Sequence, residues 1–318
     1  MTNAAQSVVV FGEALVDDFG SEQVVGGAPF NVARHLAAFG LAPLMITRLG
    51  QDDNGASVRA EVSRFGMTQS GLQWDDQHPT GRVLVERDAT GHRFIILPDQ
   101  AYDYIATEPA LRAMAGVTAD ALYFGTLAQR GASARASLFA LLAASKARRF
   151  LDLNVRAGQV HERCVFESLH AATVVKVNEE ELADLFAWYT HTRPPTRTID
   201  SKEVAAACRT LIRVFTLEGL LVTLGDKGAV YFGADGSRLL SQAGSAPPRV
   251  IDTVGAGDAF SAVFMLGQAL HWPLAQTLAR ANEFAAAVCG IAGAVPQQDG
   301  FYLPWTTRWF GGIDAAIA

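Results

Sequence analysis

Short apolar runs recur along this chain at intervals that leave room for a helix between them, and this rhythm limits the fold more than any other feature. Val8–Gly12, Leu44–Arg48, Ala121–Phe124, Phe150–Leu153 and Val174–Val177 are each too short for a helix and too continuously apolar for a half-exposed strand. They read as strands buried on both faces. Phe30–Phe39 reads as a helix ended by Gly40, and Gly55–Phe65 as a helix before Gly66. Leu220–Leu224 and Ala229–Phe232 are strands around Gly225-Asp226-Lys227-Gly228, and two long helices, Asp258–Ala269 and Pro273–Ala292, close the chain. Strand and helix in alternation specify an α/β architecture, a mostly parallel sheet covered on both faces. Ligands of such sheets collect at the carboxyl ends of the strands. With 318 residues, of which 50% are hydrophobic, the chain can fill a large core, and the expectation is one α/β domain over residues 1–318.

One stretch breaks the rhythm. Arg82–Arg87, the turn Asp88-Ala89-Thr90-Gly91 and His92–Leu97 alternate like a hairpin, yet the second arm is too apolar to be fully solvated. Either a small antiparallel flap lies over a site or against another subunit, or this is an edge hairpin of the main sheet. Arg193-Pro194-Pro195-Thr196-Arg197 is a polar surface loop.

The chemistry concentrates in Asp252-Thr253-Val254-Gly255-Ala256-Gly257-Asp258, just before the apolar run 261–266. Small residues at Gly255, Ala256 and Gly257 let backbone amides crowd an anion, and the helix that follows points its N-terminus at the same spot. Asp258 stands in that positive turn, where a carboxylate takes a proton from a hydroxyl while the amides hold phosphate charge. The blander reading is a strand-to-helix turn with an ordinary N-terminal Asp. Upstream, Gly26-Gly27-Ala28-Pro29-Phe30-Asn31 puts two glycines before a Pro-initiated helix; Gly27 allows close backbone approach, and Asn31 offers both a donor and an acceptor to hydroxyls.

Together these two segments resemble the ribokinase family, also called the PfkB carbohydrate kinases, in order and spacing from about Val8 to Ala294. The second segment matches the family's Asp-Thr-x-Gly-Ala-Gly-Asp pattern at every specified position. The resemblance implies a ribokinase-like three-layer sandwich with a small β-lid, formed by about 17–25 and 82–104, that covers the sugar and often mediates dimerisation. It implies transfer of the ATP γ-phosphoryl group to a sugar hydroxyl, with Asp258 as base. Asp17, just past the first strand, would bind sugar hydroxyls, and Arg156 in Asp152-Leu153-Asn154-Val155-Arg156 matches fructokinase-like and ketodeoxygluconate-kinase-like members. Asn178 and Glu181 match the family's Asn-x-x-Glu, which organises Mg²⁺ through water, although three acids in a first helical turn also suit the helix dipole alone. Thr223, Gly225 and Gly228 fall in the nucleotide loop. Asn282 lies where the last helices flank adenine, and without the resemblance it reads as a helix-surface residue. A K⁺ ion is implied near Asp252, where Val254 replaces a residue that often offers a hydroxyl.

Gly-Gly-Ala-Pro-x-Asn and Gly-Glu-Ala-Leu-Val-Asp look fructokinase-like, and Ala28 stands where several sugar-phosphate kinases carry Lys, so the expected acceptor is a free sugar, fructose first. Phe30 is bulkier than the usual residue, and Ile95-Ile96-Leu97-Pro98 lacks an Arg frequent in fructokinase lids. Ketodeoxygluconate, ribose and nucleosides therefore stay open.

Rival classes fare worse. No Gly-x-Gly-x-x-Gly follows the first strand, and no P-loop, His-Glu-x-x-His or Gly-x-Ser-x-Gly occurs. A non-catalytic sugar- or nucleotide-binding regulator would keep the fold and lose the base, which the intact Asp258 turn opposes. A net charge of −6 disfavours nucleic acid and anionic membranes, and three scattered cysteines fit reduced thiols. The N-terminal residues lack the pattern of a secretory signal, and the expectation is a cytosolic enzyme, dimeric through its lid.

Overall fold

The computed structural model describes residues 7–88, 91–241 and 249–311. Its strands are β1 (Ser7–Phe11), β2 (Leu15–Asp18), β3 (Gln23–Gly26), β4 (Ala42–Gly50), β5 (Leu72–Asp75), β6 (Gly81–Asp88), β7 (Gly91–Ile96), β8 (Ala119–Phe124), β9 (Arg148–Asp152), β10 (Val174–Asn178), β11 (Gly219–Thr223), β12 (Ala229–Gly233) and β13 (Arg238–Ser241). The α-helices are α1 (Ala28–Ala38), α2 (Asp53–Arg64), α3 (Thr107–Ala115), α4 (Ala132–Ala144), α5 (Glu162–Ala171), α6 (Glu179–Tyr189), α7 (Lys202–Phe215), α8 (Ala256–Ala269), α9 (Leu274–Val288) and α10 (Leu303–Phe310).

Nine strands form one sheet in the order β13-β12-β11-β10-β9-β8-β1-β4-β5. All neighbours run parallel except at the edge, where β12 and β13 turn back antiparallel. Period-two alternation divides each central strand between two cores: Val9 and Phe11 of β1 join the layer that holds α4 to α7, while Val8 and Val10 join the layer that holds α1, α8 and α9. This is the expected three-layer arrangement. Because β1 pairs with β4 on one side and β8 on the other, the chain changes direction of winding there, and a crevice opens above the strand ends.

The hairpin is not an edge of the main sheet. β6 and β7 pair antiparallel and join β2 and β3 in a separate four-stranded sheet, order β3-β2-β6-β7. Two residues of its turn, Ala89 and Thr90, lie outside the described residues. Within the range expected for a lid, β7 ends at Ile96 and residues 101–104 form a 3-10 turn instead of strand. Asp17 likewise lies within β2 of the small sheet and not in a loop after β1. Two helix boundaries also differ. α8 begins at Ala256, two residues before the expected start, so Asp258 falls inside its first turn. α9 stops at Val288, where Cys289 caps it and its carbonyl receives the amide of Ile251 at 2.8 Å; the small residues beyond it form turns.

Phe264 is fully buried on α8 and packs against Phe150 of β9 and Tyr231 of β12. Phe264→Ala should lower the free energy of unfolding by roughly 3–5 kcal/mol in urea denaturation, as large cavities in cores do; a loss below about 1 kcal/mol would contradict this packing.

Candidate active site

A cavity of about 760 Å³ lies where the ends of the parallel strands meet the small sheet. Its floor comes from Glu13 after β1 and from residues at and just beyond the ends of β9, β10 and β11, and its roof from Val83, Phe94 and Ile96 of β6 and β7. Gly255 and Gly257 at the start of α8 close one wall, with Asp258 between them and the floor.

The turn before α8 needs its glycine. Gly255 has φ 81°, and a Cβ there would come within 2.4 Å of Ala294. The turn therefore packs flat against the segment after α9 and aims the helix N-terminus into the cavity. Gly257 lines the cavity, whereas the amide of Ala256, expected in the anion hole, donates to the Thr253 carbonyl at 3.3 Å and Ala256 does not line the space. Tightening of the turn has taken that donor. The Asp258 carboxyl is enclosed by protein but open to the cavity. Desolvation raises its pKa to about 6, opposed by a hydrogen bond from Asn31. That bond is short, Asn31 Nδ2 donating to Asp258 Oδ2 at 2.7 Å, and Asn31 Oδ1 accepts from Arg34 at 2.6 Å. Asn31 was expected to meet substrate hydroxyls; in the ligand-free chain both ends of its amide are already engaged, one of them on Asp258. Gly27, at φ 102°, would drive a Cβ to 2.7 Å from the Glu13 carbonyl, so the Gly-Gly turn lets α1 start against the end of β1 and brings Asn31 into place.

Beneath Asp258 sits a buried ion pair that the sequence reading did not single out. Lys176 Nζ donates to both oxygens of Asp152 at 2.9 Å, Ser261 donates to Asp152 at 2.8 Å and the Tyr123 hydroxyl at 3.2 Å. A Cβ on Gly257 would stand 3.4 Å from Lys176 Nζ, which places this ammonium directly behind the helix N-terminus. The available signal was a lysine inside the apolar strand Val174-Val175-Lys176-Val177, since a buried lysine must be paired.

The cavity carries two further acids, Asp17 and Glu13. Asp17 faces it, while its neighbour Asp18 is turned away, accepting from Arg82, Gln23 and the Gly20 amide. Burial raises the Asp17 pKa to about 6. Glu13, unassigned in the sequence, is 4% exposed, its Oε2 is buried without a partner, and desolvation raises its pKa to about 7. Arg156, exposed on the loop after β9, borders the same region and lowers the pKa of both acids.

Asn178, Glu181 and Thr223 line the cavity beyond Lys176. Asn178 and Glu181 form a capping box: Asn178 Oδ1 accepts from the Glu181 amide at 2.8 Å and Glu181 Oε2 accepts from the Asn178 amide at 2.9 Å. Glu181 Oε1 accepts from the Val155 amide at 2.8 Å, so both oxygens are occupied by backbone donors. Such a carboxylate suits a metal held through water better than direct ligation. Among the described residues, no group of three or more His, Cys, Asp or Glu side chains could hold a metal ion. Asp252 accepts from the Val254 amide at 2.9 Å and from the Gly293 amide at 3.3 Å, fastening the loop before α8 to the one after α9. Gly225 and Gly228 flank a 3-10 turn after β11, outside the cavity lining, and Asn282 is buried within α9, neither on a helix surface nor on the cavity wall.

With the geometry in place, comparison with known proteins assigns the family. Residues 5–299 match the pfkB family carbohydrate kinases, and the chain belongs to that family. It is a carbohydrate kinase, a phosphotransferase. The fructokinase of Salmonella typhimurium is 28% identical over 298 residues, covering 89% of this chain and 91% of that protein. A double mutant of the Vibrio cholerae fructokinase, solved with fructose, ADP and potassium ion, superposes with TM-score 0.74 at 24% identity over 92% of this chain and 95% of that one. The aminoimidazole riboside kinase of Salmonella enterica, solved with aminoimidazole riboside and an ATP analogue, gives 0.72 at 22% identity over 91% and 95%. The fold is therefore ribokinase-like. No helix among the described residues is long and apolar enough to cross a membrane.

Glu13 yields a test of the site's electrostatics. Its folded pKa of about 7 exceeds the ordinary 4.5, so between those values the native state holds more protons than the unfolded chain and stability falls as pH rises. Glu13→Gln should match the ligand-free wild type near pH 4.5 and exceed it at pH 8 by at least about 1 kcal/mol. Equal stability of the two proteins at pH 8 in thermal or urea unfolding would contradict the buried, unpaired carboxylate.

Proposed function

We propose that this chain phosphorylates a free ketohexose, fructose, with ATP. The observation that carries the proposal is the make-up of the sugar end of the cavity: Glu13 and Asp17 present carboxyl groups there, and Ala28 lines the wall where a phosphosugar would need a cation. Carboxylates accept hydrogen bonds from neutral hydroxyls and repel phosphate or carboxylate groups. Arg156 is the cation at hand for an acidic acceptor, which makes ketodeoxygluconate the alternative to eliminate.

In the proposed reaction the acceptor hydroxyl lies between Asp258 and the γ-phosphorus. Asp258 takes the proton as the oxygen–phosphorus bond forms, the bond from the γ-phosphorus to the β,γ-bridging oxygen breaks, and ADP leaves. The α8 N-terminus and the Gly255 and Gly257 backbone hold the charge that spreads over the phosphoryl oxygens, with the Lys176–Asp152 ion pair behind them. Asn178 and Thr223 meet the phosphates, and the Gly225–Gly228 turn the rest of the nucleotide; Asn282, buried within α9, does not reach it. Mg²⁺, when bound, neutralises phosphate charge; Glu181 would hold it through water. Asp252 is the residue proposed beside K⁺. The small sheet is the lid, its apolar Val83, Phe94 and Ile96 excluding water that would otherwise compete for ATP. Phe94 is 46% exposed, in keeping with a proposed homodimer contact across the lid. A single domain working in the cytosol completes the reading.

Asp258→Asn should lower kcat by roughly 10²–10⁴-fold with ATP binding retained. In the wild type kcat should rise with pH through about 6, because only the ionised carboxylate accepts the proton. Near-wild-type turnover of the variant would remove Asp258 from the role of base.

A coupled assay over free sugars, fructose 6-phosphate, ketodeoxygluconate and nucleosides should give the highest kcat/KM for fructose. Preference for any phosphorylated or carboxylated acceptor would overturn the substrate assignment.

A further inference from the structure

Arg34, the one arginine of α1, is 1% exposed, a burial that a guanidinium tolerates only when its charge and donors are met. Its guanidinium faces three different parts of the fold. Nη1 donates to Glu61 of α2 at 2.9 Å. Nη2 donates both to the backbone carbonyl of Val25 in β3, at 2.8 Å, and to Asn31 Oδ1, at 2.6 Å. The Phe30 ring lies under the guanidinium carbon at 4.8 Å.

Two consequences follow. An asparagine amide can present either its oxygen or its nitrogen in a given direction, and Arg34, a donor only, fixes the choice. With Oδ1 held by the guanidinium, Nδ2 must face Asp258, and it does so at 2.7 Å. A donor at that distance favours the ionised carboxylate, the form a base requires. Secondly, β3 is the outer strand of the small sheet, so its Val25 carbonyl on that side is available to a side chain. The same nitrogen that orients Asn31 thus grips the edge of the lid.

We propose that Arg34 is a positioning residue that sets the orientation of Asn31, and through it the charge state of Asp258, while tying that alignment to the edge strand of the lid. The inference rests on the reading of Asp258 as base. The other charged and titratable groups around Asp258 are Lys176 of β10, Asp152 at the end of β9, Arg156 on the loop beyond it, Glu13 after β1 and Tyr123 of β8. Arg34's hydrogen bonds go to Glu61, the Val25 carbonyl and Asn31 and to none of these groups, so they form a common background to the comparison below.

The test combines two readouts on Arg34→Lys, which keeps the charge but replaces the fork with a single ammonium that cannot span the same partners. The first is the carboxyl titration of Asp258 by ¹³C NMR of aspartate-labelled protein, its signal assigned by absence from Asp258→Asn. The second is the pH dependence of kcat. Arg34→Lys should move both the titration and the acid limb of kcat upward by about one pH unit, giving an approximately tenfold loss at pH 5.5 and a loss within about threefold at pH 8.5. In an Asn31→Ala background the same change should produce no further shift, because the route is then already cut. An unchanged Asp258 titration, or a uniform loss of activity at all pH values, would overturn the proposal and leave Arg34 a packing residue; an additional shift in the Asn31→Ala background would overturn the route through Asn31. If Arg34→Lys does not fold, Arg34→Gln, which can still donate but is uncharged, is read in the same two ways. The NMR titration needs no turnover, so failure of the kinase reading and failure of this one are told apart.

Discussion

A carboxylate taken out of water has to be met by fixed charges and dipoles, and at Asp258 most of the polar architecture of the protein serves that need. The N-terminus of α8 points at it, Asn31 donates to it, and the Lys176–Asp152 pair lies behind it, itself satisfied by Ser261 and the Tyr123 hydroxyl. Burying one ion alone costs several kcal/mol; Asn31, Lys176 and Arg156 offset part of that at Asp258, while the Asp152 carboxylate works against them. The outcome is a pKa of about 6, low enough for ionisation at neutral pH and high enough for useful basicity. Three neighbouring strands, β8, β9 and β10, supply Tyr123, Asp152 and Lys176 to this arrangement, which is why a doubly covered parallel sheet suits it.

The Glu13 and Asp17 side of the cavity is built differently. Glu13 and Asp17 are acids that the ligand-free protein would hold more comfortably as amides, and Glu13 leaves an oxygen unpartnered. Natural sites commonly sacrifice stability where a ligand will later supply the missing hydrogen bonds. Several hydroxyl groups on a small neutral molecule would supply them beneath the apolar side chains of the small sheet.

The sheet was legible because its central strands are continuous apolar runs, and Gly255 and Gly27 could be recognised as turn residues from their neighbours alone. The hairpin was readable as a hairpin, but its pairing with residues 17–25 came only through the family resemblance, because Asp17 and Asp18 make β2 look like a loop. The end of α9 was missed because small residues up to Ala292 keep helical composition after the helix has stopped. What stayed hidden were the contacts that sequence distance conceals: Asn31 meets Asp258 across 227 positions, Lys176 meets Asp152 across 24, and Arg34 reaches a backbone carbonyl, which leaves no trace in side-chain pattern. Lys176 was the exception with a warning, a charge in the middle of a buried strand.

The central claim, that Asp258 accepts a proton and does not itself take the phosphoryl group, is tested most directly by the stereochemistry of transfer. ATP made chiral at the γ-phosphorus with three oxygen isotopes should give a sugar phosphate of inverted configuration, the mark of one in-line displacement by the hydroxyl. Retention of configuration would require two displacements through a phosphorylated side chain and would contradict the assignment of Asp258 as a base.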